Sequence, residues 1–184
     1  IILGLLIAGV VTGKKLIASS KIQKMMQEID ETIVAVNIFR STYSALPGDY
    51  DNANSVWSTT TSGDGDGTVE AAEIQDVWDH LKAAGLAELD TLANAIPTKP
   101  FPDVKKQFWN IGTNTTFHGP VAQNSHVLQV GRAADTDDAA FVPRDQHKMD
   151  KKMDDGAPKA GKVTFRIAGT TTNASCTNSS TTYY

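Results

Sequence analysis

Ser62, Asp64, Asp66, Thr68 and Glu73 place oxygen-bearing groups at alternating positions of one short segment. Together with Gly67 and Val69 they fit the first, third, fifth, sixth, seventh, eighth and twelfth places of an EF-hand-type loop, in which glycine at the sixth permits the sharp turn. Thr68 would contribute its backbone carbonyl. Hard oxygen ligands in this arrangement suit Ca²⁺ better than softer metals. The loop departs from that pattern at Ser62, where an aspartate is the usual first ligand. Asp-Gly repeats are also ordinary turn formers that need no ion, so both readings stand at this point. A second acidic group, Asp154-Asp155-Gly156, follows Met149 and Met153 and reads as the end of a short helix capped by Gly156.

Other chemistry is not legible. No nucleophile elbow, phosphate-binding glycine loop or His-Glu-x-x-His pattern occurs. His80, His118, His126 and His147 are separated too widely to share a helix face, and they read as packing or surface residues. The single cysteine, Cys176, has no intramolecular partner. Asn114, Asn173 and Asn178 head Asn-x-Ser/Thr sequons that permit glycosylation. A net charge of -4 with scattered basic residues offers no footprint for nucleic acid. The expectation is therefore a protein that is not an enzyme and does not bind nucleic acid.

The elements that position the acidic loop follow from periodicity. A length of 184 residues, 40% of them hydrophobic, allows one ordinary domain with an extended element. Residues Ile1 to Gly13 are almost wholly apolar up to Lys14-Lys15. Beyond them Ile22, Met25, Ile29, Ile33, Val36, Phe39, Tyr43 and Leu46 recur every three or four residues, which predicts an apolar stripe on one continuous helix. That helix ends at Pro47-Gly48. A second helix is predicted from Glu70 to Ala84 with Gly85 as its cap. Pro97, Pro100 and Pro102 mark an irregular connection, and Val127–Val130, Ala140–Val142 and Val163–Ile167 are strand candidates. Residues 170–184, rich in Ser, Thr and Asn, read as an exposed and weakly structured tail.

The run from Gly4 to Val11 with Leu16-Ile17, then Asn37 to Tyr43, Leu46-Pro47-Gly48-Asp49 and Gly63 to Gly67, resembles type IV pilins and type II secretion pseudopilins. The likeness covers most of the chain in patches. It implies an α+β, type IV pilin-like fold in which a long N-terminal helix packs its second half on a small antiparallel-sheet head. The corresponding divisions are 1–20 as membrane and filament-core segment, 21–46 as its amphipathic continuation, 47–169 as head and 170–184 as tail. It also implies about ten residues before Ile1, one of them a glutamate, which would complete a membrane helix of about 20 residues. Ile2, Leu3, Leu5, Leu6, Ile7, Val10, Val11, Leu16 and Ile17 would then carry assembly. The expected partners are further copies in a head-to-tail helical filament, the bacterial inner membrane before assembly, and the pilus or secretion machinery. Two other roles share these residues: a minor pseudopilin of a periplasmic pseudopilus, and a membrane-tethered calcium-binding or adhesin-like domain.

Overall fold

A computed structural model of the chain describes residues 2–87, 96–99, 101–110, 125–132, 140–157, 161–164, 177–179 and 182–183. The fold is α+β: a long N-terminal helix against a head that contains a small antiparallel sheet. Helix α1 runs Ile2–Tyr43, 42 residues or about 63 Å at 1.5 Å per residue. A short helix α2 (Ala53–Val56) and helix α3 (Ile74–Ala83) follow. Strands β1 (Ile96–Thr98), β2 (Phe101–Asn110) and β3 (His126–Arg132) form a three-stranded sheet in that order. Helix α4 (Pro143–Met153) precedes a two-stranded ribbon of β4 (Thr177–Ser179) and β5 (Thr182–Tyr183).

Two apolar clusters attach α1 to the head. Toward its C-terminal end, Ala35, Val36 and Phe39 pack with Val69, Val77, Trp78, Leu81, Ile96 and Phe108. Lower down, Ile22, Met25 and Met26 meet Val104 and Met149. The buried face is thus Ile22, Met25, Met26, Thr32, Ala35, Val36 and Phe39. Ile33, expected on this stripe, is instead 44% exposed, with Val34 and Ile38 beside it. Its place is taken by Thr32, whose hydroxyl donates to the Glu28 carbonyl at 2.7 Å and so needs no apolar setting.

The sheet corrects two further expectations. Pro97 and Pro102 lie inside strands rather than in an irregular connection. Among the described residues strand β1 pairs on one side only, and its register with β2 breaks after Pro97. Edges and register breaks are where a residue without an N–H is tolerated. At the break Thr98 stands opposite Phe101, and its hydroxyl donates to the Val104 carbonyl at 3.0 Å. Ala140–Val142 is no strand: Val142 is extended because Pro143 follows it, and Pro143 begins α4. Val127–Val130 does form the middle of β3. Val163 and Thr164 have no regular structure, and 165–167 lie outside the described residues, as do Pro100, His118, Asn114 and Asn173. Part of the Ser/Thr-rich stretch, Thr177–Ser179 and Thr182–Tyr183, pairs as a ribbon.

A buried polar contact crosses from sheet to helix. Lys106 of β2 is 6% exposed, and its ammonium donates to the Thr32 hydroxyl at 2.8 Å while lying 5.9 Å from the Trp78 ring centre. Burial holds its pKa below the usual lysine value, against the opposing pull of Glu28 and Glu31. Thr32→Val leaves this ammonium one partner short and is expected to cost about 1–3 kcal/mol in urea unfolding. Lys106→Met removes the charge itself and is expected to be neutral or stabilising. A loss in the methionine variant as large as in the valine variant would show that the ion, not its desolvation, dominates.

Candidate functional site

The acidic loop is placed by the corner that ends α1. After Tyr43 the chain reverses through Ser44 in the left-handed region (φ 56°), then through Leu46, Pro47 and Gly48. Gly48 has φ +96°, and a side chain there would meet Val77 Cγ2 at 2.8 Å and the Glu73 carbonyl at 3.1 Å. Only glycine lets the corner lie flat on α3. The Gly48 N–H donates to His80 Nδ1 at 2.9 Å, which makes Nδ1 the unprotonated nitrogen. Nε2 therefore carries the proton and donates to the Thr61 carbonyl at 2.7 Å. The fully buried His80 thus joins the corner to the start of the acidic loop, in the packing role expected of it. Phe39 stacks on the imidazole at a centroid distance of 6.0 Å.

Farther along the loop, the buried Val69 fixes its end to the sheet. Its carbonyl accepts from the Asn110 N–H at 2.8 Å, and its N–H donates to His126 Nε2 at 3.2 Å. Between these anchors Gly63 lies so close to the corner that a side chain on it would sit 2.3 Å from the Gly48 carbonyl oxygen and 2.5 Å from the Asp49 backbone. The two segments are packed backbone to backbone.

The predicted ligand residues divide into two sets. Asp64 and Asp66 do converge, and with Asp49 they bring three carboxylate oxygens within 4.8 Å of one another. Asp49 lies outside the loop, in the Leu46-Pro47-Gly48-Asp49 corner, so no spacing rule within the loop could have found it. Asp64 is also grouped with Glu70 and Glu73. The Ser62 hydroxyl is engaged elsewhere, accepting from the Asn54 N–H at 3.0 Å, while the Thr68 hydroxyl shares its proton between Asp66 Oδ1 at 2.6 Å and Glu70 Oε1, a contact separate from the backbone carbonyl expected of Thr68. Glu73 accepts from the Asp64 N–H at 3.1 Å and the Glu70 N–H at 3.2 Å. It caps the turn that precedes α3, which explains why that helix begins at Ile74 rather than at Glu70. The C-terminal end of α3 follows expectation, since Gly85 (φ +70°) closes it with Gly85 N–H to Lys82 carbonyl and Leu86 N–H to Leu81 carbonyl bonds.

The other acidic group serves the backbone. Asp150 Oδ1 accepts from the Gly156 N–H, Asp155 Oδ1 from the Ala157 N–H, and Asp154 Oδ2 from the N–H groups of Lys162 and Val163. This is the capping and turn role expected for Asp154-Asp155-Gly156.

The first half of α1 is a different kind of surface. Val10, Val11, Leu16 and Ile17 are 52%, 47%, 66% and 60% exposed, and nothing from Gly9 to Lys21 is buried. Ile2, Leu3, Leu5, Leu6 and Ile7 belong to the same helix, but their side chains lie outside the described residues. Among the described residues no helix is long and apolar enough to cross a membrane. Beside the head, a groove runs along α1 between Met26, Asp30, Glu31, Val34, Ile38 and Leu86.

Burial pushes the Glu73 carboxyl up to about 7, and Glu70 adds to the rise while the Asp64 N–H pulls against it. A carboxyl raised on folding from 4.5 contributes stability that is complete below about pH 4.5 and is lost as pH rises through about 7. His126, lowered chiefly by burial, acts in the opposite sense. In calcium-free urea unfolding, wild type is expected to lose about 1–3 kcal/mol more than Glu73→Gln between about pH 5 and pH 8. Parallel pH profiles would remove Glu73 as the source.

No protein-family model matches the chain, and no curated protein or solved structure does so either.

Proposed function

We propose that the chain is a pilin-like structural subunit of a helical filament, held together by packing of α1 against α1 of other copies. The observation that carries this reading is the exposed apolar surface of α1. Val10, Val11, Leu16 and Ile17 line its first half, and Ile33, Val34 and Ile38 continue on the side that the head leaves bare. Seven large apolar side chains on one rod form a surface of the kind that marks an interface, because burying it is favourable at roughly 25 cal/mol per Å². Among the described residues the head packs on the other side of the helix and does not supply the cover. A second α1 does.

Charge supports the same arrangement. Lys14, Lys15, Lys21 and Lys24 occupy the lower helix, and Glu28, Asp30 and Glu31 the part above. A parallel neighbour displaced by 15 residues, about 22 Å, sets Lys15 beside Asp30. Leu16 and Ile17 of that neighbour then enter the groove bordered by Met26, Val34 and Ile38. Such a contact is head to tail and does not close on itself, so it propagates as a filament. Storage in the bacterial inner membrane before assembly, delivery by pilus or secretion machinery and an extracellular position complete the proposal. The shorter periplasmic pseudopilus would use the same helix contact.

Leu16→Asp is expected to abolish filaments, seen by electron microscopy of sheared or reconstituted material, while the melting temperature of the head stays within about 2 °C of wild type. Asp30→Lys with Glu31→Lys is expected to weaken assembly at low salt, and Lys14→Glu with Lys15→Glu to restore it. Filaments at wild-type yield in Leu16→Asp would overturn the reading.

A further inference from the structure

The cluster at the α1 corner contains an acid whose environment does not account for it. Asp49 is 2% exposed. Its Oδ2 accepts from the Gly67 N–H at 3.1 Å, but among the described residues its buried Oδ1 meets no hydrogen-bond donor. Asp64 and Asp66 each bring a carboxylate oxygen within 4.8 Å of the Asp49 carboxylate and of each other. No lysine or arginine forms an ion pair with any of the three among the described residues. A buried carboxylate with one unpaired oxygen, set within 4.8 Å of two more carboxylates, is costly in the absence of a cation.

We propose that Asp49, Asp64 and Asp66 form a calcium site that bridges the corner after α1 and the acidic loop. Oxygens bound to one Ca²⁺ at about 2.4 Å lie no more than about 4.8 Å apart, so the three carboxylates already fall within the reach of a single ion. The ligand set is hard and anionic, with no nitrogen or sulfur donor, as calcium prefers. Asp49 supplies a buried, fixed oxygen on the protein side. Asp64 and Asp66 are exposed and close the solvent side, where water completes the six to eight ligands. The site differs from an EF-hand loop because it spans two segments, 15 residues apart at Asp49 and Asp64, and because Ser62 and Glu73 already accept backbone N–H groups.

Calorimetric titration of CaCl₂ into the detergent-solubilised 184-residue chain, with thermal melts in a chelator and in about 5 mM CaCl₂, tests the site. Wild type is expected to bind one equivalent and to melt several degrees higher with calcium. Asp49→Asn, which mimics the protonated acid, is expected to keep its calcium-free melting temperature and to lose the calcium response. Should that buried variant not fold, the exposed Asp64→Asn decides: its affinity is expected to fall at least tenfold. Asp155→Asn, in the other acidic group, is expected to titrate as wild type does. Absence of heat together with an unchanged melting temperature in wild type would overturn the proposal, and so would a wild-type response in Asp64→Asn. Equal affinity for MgCl₂ would overturn the assignment to calcium.

Discussion

The structure depends on one geometric constraint: a helix of 42 residues is much longer than the surface the head can offer it. Burial from Ile22 to Phe39 anchors the upper half by two clusters, one around Phe39 and Trp78 and the other around Met25 and Met149. Among the described residues, nothing from Gly9 to Lys21 is buried against the head. The apolar residues there and those on the bare upper side have the same physical need, which the described residues do not meet. Fold and proposed assembly are two responses to one excess of apolar surface.

The corner that ends α1 is where local chemistry governs tertiary structure. Gly48 removes the side chain that would strike Val77, His80 accepts the Gly48 N–H, and Gly63 allows a second backbone to lie against Asp49. Each contact makes the next possible. The acidic loop therefore does not hang from the head as an ordinary surface turn. It is held at one side by the corner and at the other by Asn110 and His126 of the sheet.

Much of this was legible from residue types. The extent of α1, the corner at Pro47-Gly48, the Gly85 cap and the convergence of Asp64 with Asp66 followed from spacing and turn chemistry. Three features were not, each for a physical reason. Thr32 displaced Ile33 from the core because a hydroxyl satisfied within its own helix is no longer an obstacle to burial, and periodicity counts only apolar side chains. Pro97 and Pro102 entered strands because strand position in the sheet, edge or centre, is a tertiary fact. Asp49 joined the acidic group across a fold-dependent approach of two backbones, which no local spacing encodes.

The hydrogen bond from Lys106 to Thr32 has a mechanical consequence. Apolar stripes are slippery lengthwise: a helix shifted by one turn would still set grease against grease. A single directional bond from the middle strand to one hydroxyl forbids that slide, since no other threonine lies within two turns of position 32 on α1. If α1 is pulled along its axis, as in a fibre under tension, the strain passes into the sheet at this pin, which acts as a keyway between rod and head.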